Sequence, residues 1–208
     1  MRGRFITFEG GEGSGKTSAI KSLSEHLTNK GFDVLVTREP GGISISEQIR
    51  EIVLGKENVE MDLLTEAFLF AASRRQHLIE KVVPALEAGK IVLCDRFVDS
   101  SVVYQGYARG IGMDKVSKIN EIVINGYMPH LTIFFDVKPE TGMKRIQENS
   151  RNVNRLDLET ESFHKKVYDG YHILVEKHDR IKVVNGELSK EEVFNQTLDV
   201  VERFLNAE

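Results

Sequence analysis

Gly10-Gly11-Glu12-Gly13-Ser14-Gly15-Lys16-Thr17 follows the apolar burst Phe5-Ile6-Thr7-Phe8 and precedes a segment of helical period. It fits the pattern G-x-x-x-x-G-K-[ST] in the context that pattern requires, after a strand and before a helix. The strand-loop-helix order commits the chain to a parallel sheet with crossover helices. Such a loop wraps a phosphate chain with inward-pointing backbone N–H groups, and the helix opening at Lys16 adds the positive end of its dipole. Lys16 then reaches the β- and γ-phosphates, while the Thr17 hydroxyl ligates Mg²⁺.

The rest of the chain agrees with that start. Apolar bursts predict strands over Phe5 to Glu9, Asp33 to Thr37, Ile91 to Asp95, Leu131 to Asp136 and Ile181 to Val184, the middle ones near-continuous as buried parallel strands are. Helices are expected to begin near Lys16, Ile45, Asp62, Ser100, Asp114, Pro139, Glu159 and Lys190. The fold class is therefore α/β, a five-stranded parallel sheet flanked by helices on both faces. No repeat or Gly/Ser-rich linker divides the 208 residues, and we expect one domain.

Composition narrows the function. Twenty-eight Lys and Arg against 32 Asp and Glu give a net charge of -4, without the basic excess of a dedicated nucleic-acid binder. The six histidines lack metal-ligand spacing, and one cysteine, Cys94, cannot form an internal disulfide, which suits a reducing compartment. No apolar run approaches the about 18 residues of a membrane span, and the amino end is too short for a signal peptide. A cytoplasmic, unanchored protein is expected.

Charged residues then gather where ligands bind. Asp95 and Arg96 end an apolar strand at the carboxyl edge of the sheet, on the side of the glycine loop. Asp95 can hold Mg²⁺ through water, and Arg96 can clamp phosphate oxygens. Glu12, a carboxylate within a phosphate loop, repels the ligand unless it points to a cation or a hydroxyl beyond it, and is expected to face a second substrate. Arg38, Arg50, Arg74, Arg75, Arg96, Arg109, Arg151 and Arg155 exceed what one triphosphate needs, which points to phosphoryl transfer between two anions. The segment from Lys144 to Arg155, KRIQENSRNVNR, reads as a mobile basic loop over an anion, within a lid spanning about 144–157.

FEGGEGSGKT at 8 to 17, TREPGG at 37 to 42, LFAASRRQHL at 69 to 78, DRFVDSSVVYQGYARG at 95 to 110 and NSRNVNRLD at 149 to 157 together resemble the thymidylate kinases over essentially the whole chain. The resemblance implies a P-loop fold of the nucleoside monophosphate kinase type, ATP and dTMP as substrates, Mg²⁺, and a homodimer. It implies transfer of the γ-phosphoryl of ATP to dTMP, giving dTDP and ADP on the way to dTTP. Phe70 then stacks on thymine and Arg74 hydrogen-bonds the base, Phe68 being the core residue of that helix. Ser101 and Gln105 read the N3 and O4 edge, and Tyr104 excludes a 2′-hydroxyl. Arg38, Glu39, Pro40 and Arg50 form the acceptor loop, and Glu12 approaches the sugar 3′-hydroxyl.

With no cation between Gly11 and Ser14, transition-state charge falls to Lys16, Arg96 and the lid residues Arg151 and Arg155. Two positions depart from the family pattern: Phe97 where Tyr is usual, and His130, expected to be a surface substitution, where Asp is common. Two alternatives stay open on sequence. One is a kinase of another nucleoside monophosphate; the other is a P-loop switch, whose turnover would not need an acceptor.

Overall fold

In the computed structural model the described residues are 3–148 and 155–207. Five strands, β1 (Arg4–Glu9), β2 (Val34–Arg38), β3 (Ile91–Asp95), β4 (Leu131–Asp136) and β5 (Ile181–Asn185), form one sheet in the order β2-β3-β1-β4-β5. Every pair is parallel, with Phe5 opposite Val92 and Ile6 opposite Leu131. The central strands β1, β3 and β4 are buried almost throughout because helices cover both sheet faces.

Alternation along the strands sorts the core. Ile6, Phe8, Leu93, Ile133 and Phe135 face α1 (Lys16–Asn29) and, at the chain's end, the helix Lys190–Asn206. That last helix opens on a capping box between Ser189 and Glu192. On the opposite face Phe5, Val92, Cys94 and Phe97 form a second cluster, and Phe134 with Tyr104, Phe163 and Tyr171 a third. A polar seam lies between those two. Thr7 and Thr132 share a hydrogen bond of 2.8 Å, and Arg180 clamps Asp99 through two bonds of 2.7 Å.

The helices of that face are α2 (Ser44–Leu54), α3 (Leu63–His77), α4 (Val83–Glu87), α5 (Val98–Ser101), α6 (Met113–Ile124), α7 (Pro139–Glu148) and α8 (Glu161–Lys177), the chain closing with α9 (Lys190–Asn206). Lys144 to Glu148, expected within a loop, are the last turns of α7, because Ile146 is buried and holds the segment helical. Two π-helical segments interrupt this face, Leu78–Val82 between α3 and α4 and Val102–Ala108 after α5. Wide turns of this kind recur at functional sites. Among the described residues no helix is long and apolar enough to cross a membrane.

Candidate active site

The loop from Gly10 to Thr17 joins β1 to α1. The α1 N-terminus starts behind Gly15 at φ 90° and takes no side-chain cap from a described residue, which leaves its N–H groups and dipole for an anion. Lys16 crosses the loop, its Nζ donating to the carbonyls of Gly10 (3.1 Å) and Gly11 (2.9 Å) and to Ser14 Oγ (2.9 Å). Burial, helped by the charge of Arg96, lowers this amine to about 8. The Thr17 hydroxyl donates to Asp95 Oδ2 at 2.9 Å. The crest is pressed by α7: a Cβ on Gly13 would lie 2.1 Å from the Gly142 carbonyl oxygen, and one on Gly142 2.2 Å from that of Glu12. Both positions therefore need glycine.

Arg96 leaves β3 at φ 67°, a conformation costly for any residue but glycine, and strain of this kind marks a position that surrounding contacts over-determine. Its guanidinium donates to Glu12 Oε1 (2.6 Å), the Gly10 carbonyl (3.0 Å) and Ser100 Oγ (3.2 Å), and lies 5.1 Å from the centre of the Tyr104 ring. Tyr104 in turn donates its hydroxyl to Glu12 Oε1 at 3.2 Å. Glu12 is thus directed at a cation and a hydroxyl.

Glu9 sits at the top of the polar seam, fully buried, accepting from the Phe97 N–H (2.7 Å), the Ser100 hydroxyl and the Tyr171 hydroxyl (2.8 Å). Burial, then the charge of Asp99, raises its carboxyl to about 7 against the hydrogen bonds that oppose the shift. Between the ordinary value of 4.5 and about 7 the folded chain binds the proton and the unfolded chain does not. Stability must then fall as pH rises through that window, by up to about 3 kcal/mol. Urea unfolding at pH 5 to 8 should show this decline in the native protein and a flatter profile in Glu9→Gln; parallel profiles would mean that Glu9 is ionised throughout.

A cavity of about 280 Å³ opens in front of these groups, lined at one end by Glu12 to Ser18 and at the other by Arg38, Glu39, Pro40, Arg50, Phe70, Arg74, Ser101, Tyr104 and Gln105, with Asp95 and Arg96 between. Glu66, Phe70 and Arg74 are spaced four apart on α3 and share one face. Arg74 is buried and heavily used: it donates to Glu39 Oε2 (2.7 Å), Ser101 Oγ (3.1 Å), the Phe97 carbonyl (2.9 Å) and Asn120. Glu39 also binds His77 Nδ1 at 2.9 Å, so its place is behind Arg74 as well as at the cavity wall. Arg50 donates to the Pro40 carbonyl at 2.8 Å, and Arg38 pairs with Glu47 at 2.8 Å.

Several expectations meet a different arrangement. Phe68 is 56% exposed while Phe70 is buried at the cavity, because α3 buries the polar Glu66, Ser73, Arg74 and His77 beside Phe70 and exposes Leu63, Leu64 and Phe68, so its pattern does not say which ring faces inward. Arg155 donates to the Val53 carbonyl and to Glu66, away from the cradle; Arg109 pairs with Glu66 and Glu159, and Arg75 donates to the Val123 carbonyl. Buried carboxylates and carbonyls recruit these arginines. Arg151 lies outside the described residues. His130 is exposed, yet its Nδ1 accepts the Phe5 N–H at 2.9 Å and so anchors the start of β1. The Phe97 ring packs edge-on against Phe5 at 4.9 Å, where a hydroxyl would be buried. Sequence reasoning missed Glu9, Glu66, Ser100 and Tyr171; only Glu9, a carboxylate ending an apolar strand, carried a local signal.

Residues 8–197 match the thymidylate kinase family. The chain is 56% identical over 203 residues to a thymidylate kinase of Geobacillus thermodenitrificans (strain NG80-2), covering 97% of this chain and 90% of that one. It is also 56% identical over 197 residues to one of Clostridium novyi (strain NT), covering 94% and 96%. The crystal structure of thymidylate kinase from Ehrlichia chaffeensis superposes with a TM-score of 0.78 at 31% identity, covering 97% of this chain and 99% of that one.

Proposed function

The chain belongs to the thymidylate kinase family, and from that premise we propose how its cavity divides the work. It is an ATP-dependent kinase that converts dTMP to dTDP for dTTP synthesis. The ATP phosphates occupy the cradle from Gly10 to Thr17. The dTMP base stacks on Phe70, with its edge toward Arg74, Ser101 and Gln105. Its sugar lies by Tyr104 and Glu12, and its phosphate meets Arg38, Arg50 and Arg96, with Glu39 and Pro40 shaping that wall. The observation that carries this reading is the continuity of the cavity from the phosphate loop to Phe70 and Gln105.

An oxygen of the dTMP phosphate attacks the γ-phosphorus while the bond to the β–γ bridging oxygen breaks, and ADP leaves with that electron pair. Lys16 and Arg96 neutralise the oxygens between the two ends. Arg151 is assigned the charge that a lid would add, on its sequence position. Thr17 and Asp95, held 2.9 Å apart at the mouth of the cradle, fit a hard cation that takes most of its ligands from phosphate and water. Mg²⁺ bound there would polarise the phosphate oxygens. The unpaired, buried Cys94 suits the cytoplasm.

Coupled ADP release with Mg²⁺-ATP and a panel of dTMP, dUMP, AMP, GMP and CMP tests the reading. We expect kcat/KM for dTMP to exceed those for the purine monophosphates at least a hundredfold; equal turnover, or turnover without an acceptor, would overturn it. Leu64 and Phe68 on α3, with Ile79 and Ile122 nearby, leave an exposed apolar surface that supports a homodimer. Phe68→Glu should then halve the mass seen by light scattering at micromolar concentration, and a native protein already monomeric there would count against the dimer.

A further inference from the structure

We infer that Glu66 sets the base selectivity of the cavity by fixing which way the Gln105 amide faces. The inference rests on the reading that the base edge meets Gln105. Gln105 lies on the π-helical segment Val102–Ala108, lines the cavity, and donates Nε2 to Glu66 Oε1 at 2.9 Å. Among the described residues its amide makes no other hydrogen bond. One acceptor, Oε1, and one remaining N–H are therefore left for whatever occupies the cavity.

Glu66 is wholly buried on α3, on the face it shares with Phe70 and Arg74. Its carboxylate is held from the far side by Arg109, at 3.3 and 3.4 Å, and by Arg155. Burial alone would raise the group. The Gln105 hydrogen bond and the two arginines outweigh that and keep it below the ordinary range, so it stays ionised. An ionised carboxylate only accepts. Turning the Gln105 amide over would set its oxygen against that of Glu66, two acceptors in a buried place, which the fold must refuse.

The cavity thus meets an acceptor and a donor in one fixed order. Thymine offers the matching pair, N3–H as donor and O4 as acceptor. Cytosine offers the reverse, N3 as acceptor and an amino group as donor, and needs the amide that Glu66 forbids. Glu66 touches no part of the substrate in this scheme; it is a positioning residue that works by denying a flip.

The test compares dTMP with 5-methyl-2′-deoxycytidine monophosphate, which keeps the methyl group and inverts the edge, in the native enzyme, Glu66→Gln and Gln105→Leu. The native enzyme should prefer dTMP strongly. In Glu66→Gln, whose amide can donate or accept, the kcat/KM ratio should fall at least tenfold, through KM, with kcat for dTMP changed less than threefold. A merely structural role would lower both substrates alike and leave the ratio standing. A ratio within twofold of native, while Gln105→Leu collapses it, overturns the role of Glu66 alone. If Gln105→Leu also leaves it intact, or the native ratio is near one, the placement of the base edge falls with it. Should Glu66→Gln fail to fold, Glu66→Asp keeps the charge between the arginines, withdraws the oxygen from Gln105, and is judged by the same ratio.

Discussion

Arg96→Ala should lower kcat at least a thousandfold. The guanidinium lies between the two ends of the cavity, tied to the phosphate loop through the Gly10 carbonyl and Glu12, and is mostly buried. A charged donor aimed at a transferring phosphoryl group is worth about 10³ to 10⁵ in kcat in related chemistry. Its loss also takes one counter-charge away from Glu12 beside the phosphates, which adds repulsion to the deficit. The backbone gives an internal control. Because Arg96 stands at φ 67°, Arg96→Gly should lose as much kcat as Arg96→Ala yet be more stable by about 1 kcal/mol. Steady-state rates at saturating dTMP with thermal melts decide; a loss below tenfold in both variants would remove Arg96 from the reaction.

Lys16→Ala is expected to cost about as much, and to lower kcat far more than it destabilises the fold. The ammonium is buried and its pKa is lowered to about 8, mainly by burial, so the folded protein holds this proton less tightly than the unfolded chain. Stability therefore rises with pH from about 8 toward 10.5, and at neutral pH removing the charge relieves the fold. Below about 8 the charge is available to phosphate. In the free enzyme kcat/KM for ATP should accordingly decline about tenfold per pH unit above about 8, and Lys16→Arg, always charged, should abolish that limb. A flat alkaline profile in the native enzyme would contradict the assignment.

How much of this could be read from the chain depends on whether the determinant was local. The cradle was legible in full, because a glycine pattern between strand and helix is a contiguous signal. Asp95 and Arg96 were legible for the same reason, both emerging from one apolar strand. Phe68 and Phe70 could not be ranked, since α3 buries Phe70 among the polar Glu66 and Arg74 and leaves Leu64 and Phe68 exposed, against the usual sorting of apolar from polar faces. Arg155 reads as a lid cation until Glu66, 89 positions earlier, is seen to claim it. Tyr171 and Glu9, 162 positions apart, share a hydrogen bond that no spacing rule would pair.

The order β2-β3-β1-β4-β5 also sets a timetable for the newly made chain. Of these five strands the first to leave the ribosome is the one placed at the centre, and its neighbours, Ile91–Asp95 and Leu131–Asp136, are synthesised long afterwards. At about 5 to 20 residues per second, Phe5 to Phe8 wait for several seconds with both edges unpaired. They are a target for chaperones or for association with other nascent chains. The phosphate loop waits longer still, since Gly142 must arrive to support its crest and Tyr171 to close over Glu9. Nucleotide binding is therefore acquired long after its motif has been made.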